Sequence, residues 1–229
     1  MLNMSNRVLI ECYFGHEQWG PQKAPHNLKS YFFTNNSGLR EIIESRGWIY
    51  RYVDFPLVND EIESAIQSKY IKFLQFLRDY TEFLEYEQII YSDHKLSFSE
   101  NTTLYLDKVV DTTKFITIRN TPRLKETIDD EINEAMFQTR YCKNMSQTMT
   151  WKHNFIEKHK LTNRNRIMNT GLIVYNQYNN IMNLLNETYN VISQLKQPEC
   201  QVIWACTSQP YEKFIQRLDF FQIDNPPSI

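Results

Sequence analysis

The strongest constraint on the fold is a rhythm at the start of the chain. Three apolar runs of strand length stand close together: Val8-Leu9-Ile10-Glu11-Cys12-Tyr13-Phe14, Tyr31-Phe32-Phe33-Thr34 and Trp48-Ile49-Tyr50-Arg51-Tyr52-Val53. Between the second and third, Ser37 opens and Gly47 closes a short helical stretch. A serine side chain can satisfy the first free N–H groups of a helix, and glycine can take the left-handed turn that ends one. Strand, helix, strand in succession points to βαβ units, in which helices cover a mostly parallel sheet. The expected fold class is therefore α/β, and ligands of such sheets gather beyond the carboxyl ends of the strands.

The rest of the chain continues the pattern. Ile62, Ile66, Tyr70, Phe73, Leu74, Leu77 and Tyr80 recur at helical spacing and predict one long amphipathic helix from Asp60 to about Leu84. Tyr86 to Tyr91 reads as a strand ending at Ser92-Asp93, and Lys114 to Arg119 as another. Residues 101–113 fit neither pattern cleanly. Helices are expected over Ile128–Tyr141, Ser146–His159 and Ile181–Leu195, and a last helix or strand over Gln201–Tyr211. Arg166 to Asn176 is a strand interrupted by Gly171, which marks a bulge or a close approach of backbone to ligand. With only five glycines, no repeat and no flexible linker, residues 1–229 read as one domain.

Composition excludes several classes. Hydrophobic residues at 41% and charged residues at 23% suit a packed core, while a net charge of -2 argues against a nucleic-acid partner, which needs a dense basic face. No run approaches the ~20 apolar residues of a membrane span, and the start of the chain lacks a signal-peptide pattern. The expectation is a soluble, cytoplasmic protein without membrane insertion. Cys12, Cys142, Cys200 and Cys206 have neither zinc-site nor disulfide-framework spacing and read as buried thiols. The five histidines form no metal motif, and the glycine signatures of hydrolases, dehydrogenases and phosphate-loop enzymes are absent from the sequence.

Asp93 is the residue best placed for chemistry, because an acid directly after a buried strand sits where an α/β sheet presents its ligands. Its carboxylate could hold a hard cation against a diphosphate, and Lys95, two residues on, could add positive charge on the same side. The same letters also fit an aspartate that caps a turn beside an exposed lysine. Asn169-Thr170-Gly171 joins paired donors and acceptors to a backbone with little steric bulk, which suits sugar hydroxyls, although a bulge with turn residues explains it equally. Arg119-Asn120-Thr121-Pro122-Arg123 could clamp an anion or be surface loop. Asp129 and Asp130 read as solvated acids at a helix start.

Taken in order, Val8 to Tyr13, Tyr31 to Asn35, Lys69-Tyr70-Ile71-Lys72, Ile90 to Lys95, Asn169 to Tyr175 and Cys200-Gln201 resemble small GT-A-type (Rossmann-like) glycosyltransferases. The likeness is closest to the chlorovirus capsid-glycan transferases and a related plant and bacterial group in which Asp-x-Lys replaces Asp-x-Asp. It implies a nucleotide-binding N-terminal half and a sugar- and acceptor-binding C-terminal half. Thr34 and Asn35 would lie near the nucleoside, Lys69 and Lys72 near the donor, and Asp93 at a metal and the diphosphate. Asn169, Thr170 and Gly171 would wall the sugar and acceptor site, and Gln201 would stand near the reacting carbon. The implied partners are a nucleotide-sugar donor, a uridine diphosphate sugar first of all, and a glycan or glycoprotein acceptor. The implied reaction is hexosyl or deoxyhexosyl transfer with retention, and the implied cofactor is Mn2+ or Mg2+. Lys95 replaces the usual second carboxylate, so the cation has one fewer protein ligand. Glu131 or Asp129 could instead supply a base and favour inversion. A nucleotidyltransferase shares the sheet plan but would carry a glycine-rich first loop, of which Gly15 to Gly20 is a poor version. A non-catalytic binding protein of the same fold is the other alternative.

Overall fold

The computed structural model describes residues 6–16, 20–123 and 125–228. In chain order its strands and α-helices are β1 (Arg7–Cys12), β2 (Ser30–Thr34), α1 (Arg40–Ser45), β3 (Ile49–Tyr52), α2 (Glu61–Lys72), β4 (Gln88–Ser92), α3 (Glu100–Val109), β5 (Ile116–Asn120), α4 (Ile128–Ala135), α5 (Thr139–Cys142), α6 (Met145–His159), β6 (Met168–Tyr175), α7 (Met182–Leu195), α8 (Cys200–Thr207) and β7 (Ile215–Leu218). The strands form one seven-stranded sheet in the order β3-β2-β1-β4-β6-β5-β7. β1 to β4 run parallel to their neighbours among themselves, β7 runs parallel to β5, and β6 runs antiparallel to both β4 and β5. The expected α/β class with a mostly parallel sheet is what the chain adopts.

Alternation along the strands divides the core into two layers. Val8, Ile10 and Cys12 of β1 face one side with Phe33, Tyr91, Ile173 and Tyr175, where Phe73, Phe76, Leu184 and Trp204 cover them. Leu9, Phe32, Ile90, Leu172 and Val174 face the other side, beneath Leu39 and Ile43 of the α1 region, Trp48, Leu106 of α3, and Phe221 and Ile223. A smaller cluster of Ile128, Ile132, Met145, Val202 and Ala205 joins α4, α6 and α8.

The long helix expected from Asp60 to Leu84 stops early. Asp60 caps α2 by accepting from the N–H groups of Ile62 and Glu63, and the helix ends at Lys72. Leu74 then takes a left-handed conformation (φ 55°), and two 3-10 turns follow at Gln75–Arg78 and Thr81–Glu85. Phe73, Leu74, Phe76, Leu77 and Phe83 are all buried, so an unbroken helix would expose part of an apolar surface that the turns tuck under the sheet. The expected helix over Ile128–Tyr141 likewise splits into α4 and α5, leaving Phe137 on the surface at the corner. The region 101–113 contains α3, opened by a capping box of Ser99 and Thr102. The segment after Gln201 is α8, and β7 lies beyond the residues expected to end the fold's regular elements. Three of the cysteines are buried, Cys142 is half-buried, and all four are free. No helix among the described residues is long and apolar enough to cross a membrane.

Trp204 is fully buried and stacks on Phe73 with ring centroids 6.0 Å apart, joining α8 to the break after α2. Trp204→Ala should lower the unfolding free energy by about 3–5 kcal/mol in urea titrations, the range for truncating a large buried aromatic. A loss below ~1 kcal/mol would show that this junction is not a main support of the core.

Candidate active site

The reversed direction of β6 builds the site. Because β6 runs against β4 and β5, its first residues lie beside the carboxyl ends of those strands: Asn169 opposite Arg119, Met168 opposite Asn120, and Leu172 opposite Ser92. The register between β5 and β6 shifts between Ile118 and Arg119, so Thr170 and Gly171 bulge at the point where Asp93 leaves β4. The Asp93 N–H donates to the Gly171 carbonyl (2.8 Å), and the Asp93 carbonyl accepts from Leu96 N–H (2.8 Å). A Cβ on residue 171 would stand 2.8 Å from Asn169 Oδ1 and 3.1 Å from Asp93 Oδ2. A side chain here would have to displace the Asn169 amide that bonds the Gly171 N–H. Asn169 Oδ1 accepts from the Gly171 N–H (2.9 Å) and lies 3.5 Å from a guanidinium nitrogen of Arg119.

A buried cation defines the electrostatics. Lys72 Nζ, with its side chain 3% exposed, sits 2.9 Å from Asp93 Oδ1, whereas the Asp93 side chain is 40% exposed. The Tyr91 hydroxyl donates to the same oxygen at 2.7 Å, and Lys72 lies over the Tyr91 ring. Burial alone would raise the pKa of Asp93, but Lys72, Lys69 and the Tyr91 hydroxyl together hold it well below the usual carboxylate range. Burial would lower that of Lys72, and the facing carboxylate of Asp93 drives it up instead. Burial lowers the Arg119 guanidinium to about 10 against the opposing pull of Asp93. His94 is pushed down to about 4 by burial, so its ring is neutral near pH 7.

Two cavities open on Asp93, the second also on Lys72. The first, of about 670 Å³, is lined by Tyr13, Gly15, Ser64, Ser68, Lys95 and Arg119 among others. The second, of about 480 Å³, is lined by Lys72, Thr121, Glu131, Thr170, Glu199 and Gln201 among others. Lys69, Asp93, Arg140, Tyr141, Asn169 and Gly171 belong to both walls. The junction between the cavities thus carries one carboxylate amid several cations.

Of the residues expected from sequence, the fold brings together Lys69, Lys72, Asp93, Lys95, Arg119, Asn169, Thr170, Gly171 and Gln201 around these cavities. Thr34 and Asn35 line neither. Thr34 is fully buried, and its hydroxyl oxygen accepts from the Asn36 N–H (3.1 Å). Asn35 accepts from Gly15 N–H (3.2 Å) and donates to the Pro56 carbonyl (2.9 Å) and Gln67 (3.2 Å), so it acts on the first cavity by fixing the loop after β1. Within that loop, residues 17–19 lie outside the described residues. Thr121 to Arg123 do reach the second cavity. Asp130 completes the capping box of Thr127 by accepting from its N–H, and Asp129 faces Lys152 and Asn163, as expected of acids at a helix start.

Sequence reasoning missed Glu199, Arg140 and Tyr141. Glu199 caps α8 by accepting from the Gln201 N–H (2.8 Å), and burial reinforced by nearby Glu131 raises its carboxyl to about 7. The acid just before Cys200-Gln201 was the available signal. Gln201 holds two carboxylates: its backbone bonds Glu199, and its side-chain amide donates to Glu131 Oε1 (2.7 Å), while the other Glu131 oxygen is paired with Lys125.

The described residues offer the expected Mn2+ or Mg2+ a single carboxylate at this junction, that of Asp93. A hard divalent cation takes about six oxygen ligands, with carboxylates prominent among those the protein supplies. Among the described residues no three His, Cys, Asp or Glu side chains converge on such a position. The one carboxylate at the junction is already bonded by Lys72 and Tyr91.

No protein-family model matches the sequence, and no curated protein resembles it by sequence. Solved structures do resemble the fold. The WbbM bifunctional glycosyltransferase, in its apo form, superposes with a TM-score of 0.50 at 11% identity over 95% of this chain, which spans 39% of that larger protein. Mouse xyloside xylosyltransferase 1 gives 0.48 at 10% identity, covering 93% of this chain and 85% of that one. A glycosyltransferase involved in glycosylation of the major capsid of PBCV-1 gives 0.43 at 10% identity, covering 93% and 82%. The superposition on WbbM speaks for architecture alone, and by that architecture the chain has the GT-A type of glycosyltransferase fold.

Proposed function

We propose that the protein is a glycosyltransferase that moves a hexosyl or deoxyhexosyl group from a nucleoside diphosphate sugar, a uridine diphosphate sugar first of all, to a hydroxyl of a glycan or glycoprotein. The observation that carries this reading is the meeting of two cavities at Asp93. On the first side, Lys69, Lys95, Arg119 and Arg140 outnumber Glu61 and Asp93, which suits a diphosphate. Tyr13 and His94 pack edge to face (centroids 5.3 Å) on the wall where a base would lie. The second side supplies Thr121, Asn169, Thr170, Glu131, Glu199 and Gln201, a set of donors and acceptors suited to sugar hydroxyls.

In the reaction, the anomeric C–O bond to the diphosphate breaks with both electrons going to the phosphate oxygen. The acceptor oxygen forms the new bond, and its proton passes to the departing phosphate. Fixed cations at the junction favour that charge separation without having to reorganise. Retention of configuration is supported by the state of the candidate bases. Asp129 lines neither cavity, and both oxygens of Glu131 are engaged, one by Gln201 and one by Lys125. Glu199, with its raised pKa, favours a second reading in which it takes the acceptor proton and configuration inverts.

Three measurements bear on this reading. Asp93→Asn, which keeps the shape of the side chain, should lower the turnover of sugar transfer or donor hydrolysis by about 10²–10³-fold with an unchanged circular dichroism spectrum. A wild type inert toward every uridine diphosphate sugar in a panel would speak for a binding protein instead. NMR of the product should show the anomeric configuration of the donor preserved; inversion would assign the base to Glu199. Finally, the folded state holds a proton on Glu199 that the unfolded chain has released above the ordinary carboxylate range. Stability should therefore fall as pH rises from about 4.5 to 7, by on the order of 2–3 kcal/mol, and Glu199→Gln should flatten that fall in urea titrations at successive pH values. A pH dependence equal in both proteins would place the titration elsewhere.

A further inference from the structure

From the Lys72–Asp93 pair and its surroundings we infer that lysine side chains, and not a divalent cation, neutralise the donor diphosphate, so that nucleotide binding needs no metal. The inference rests on the reading of the cavities as a nucleotide-sugar site. A divalent ion on Asp93 would have to approach through Oδ2 a carboxylate whose Oδ1 already accepts from an ammonium 2.9 Å away and from the Tyr91 hydroxyl. Lys72 cannot swing aside into water, since its side chain is 3% exposed and its helix end is fixed by the Tyr175 hydroxyl donating to the Lys72 carbonyl at 2.6 Å. Two like charges drawn to one carboxylate repel, and Lys72 holds its place from the buried side. Lys69, one helical turn back on α2, lines both cavities and is 9% exposed, and Lys95 lines the first from the turn after β4. Arg119 closes the same wall.

Lys72 is held by Asp93 and Arg119 by the Phe221 carbonyl, while Lys95 is an exposed side chain at the wall of the first cavity. Asp93 lines both cavities and Lys72 the second, beside the junction where the bond to the leaving diphosphate would lie. When the anomeric C–O bond breaks, the electron pair moves onto the phosphate oxygen. Ammonium groups there meet the added charge by hydrogen bonding, the role a bridging metal fills in a two-carboxylate site. The single carboxylate of Asp93 is then the anchor for Lys72, and the lysine at position 95 is one of the diphosphate's own contacts.

Calorimetry with UDP, and with uridine as the phosphate-free control, tests this on the full chain after treatment with chelator. UDP should bind the metal-free protein with an affinity that excess Mg2+ or Mn2+ changes by less than about twofold. Lys95→Ala and Lys69→Gln should each weaken UDP by about three- to tenfold, with the loss greater at low ionic strength, and leave uridine unchanged. In Lys72→Gln the released Asp93 carboxylate should make UDP binding respond to Mn2+; thermal melts establish that this variant folds, and Lys72→Arg, which keeps the charge, should remain unresponsive. Binding of UDP that is lost in chelator and restored by Mn2+ or Mg2+ in the wild type would overturn the inference while leaving the transferase reading intact. Binding that is metal-free but unchanged in both Lys95→Ala and Lys69→Gln would overturn it as well. Failure of UDP, GDP, ADP and CDP to bind with or without metal would overturn both.

Discussion

The contact between Lys72 and Asp93 ties the two halves of the site together. It joins the last residue of α2 to the turn after β4, with Nζ 2.9 Å from Oδ1, and it does so at the edge of a layer built from Tyr91, Cys12 and Tyr175. A buried ammonium is costly without a partner, and a carboxylate beside it must stay charged to compensate. The pair sits at the last residue of α2. The chain after Lys72 turns through a left-handed Leu74 and packs Phe73 against Trp204, which fixes α8 and with it Glu199 and Gln201. The charge pair, the break in the helix and the placing of the second cavity are one arrangement.

The second determinant is topological. An antiparallel strand inserted between β4 and β5 delivers its own beginning to the carboxyl edge, so that side chains from strand ends and from a strand start meet in one place. The bulge at Thr170-Gly171 brings the backbone of β6 against Asp93, where a Cβ would crowd the Asn169 amide and the Asp93 carboxylate. Asn169 then holds the Gly171 N–H and faces Arg119, linking the wall of the first cavity to that of the second. A wholly parallel sheet would have sent the same residues to the opposite edge.

Charge is distributed accordingly. Cations line both cavities, but in the second they are joined by Glu131 and Glu199, each engaged by Gln201. The carboxyl of Glu199, pushed up to about 7 by burial beside Glu131, and the depressed Asp93 are acids of the same chemistry set apart by their neighbours. A site that separates a leaving diphosphate from an accepting hydroxyl benefits from such asymmetry.

Much of this was legible in the chain itself, because alternation and punctuation are local. The runs at Val8, Tyr31, Trp48 and Ile89, the capping residues and the glycine within Arg166 to Asn176 determine the α/β class, the strand-end position of Asp93 and the bulge at Gly171. Local pattern could not show that the apolar spacing from Asp60 to Leu84 would break after Lys72, since that depends on a sheet surface with room for buried aromatics on more than one side. Nor could it show that Asn35 serves the loop holding Gly15, that Glu199 sits beside Glu131, or that Asp93 is taken by Lys72, because each joins residues 20 or more positions apart. Sequence determined which residues stand at the strand ends, for backbone periodicity is a short-range property. Only the tertiary structure decided what those residues face, because burial and charge pairing arise from segments that meet in space alone.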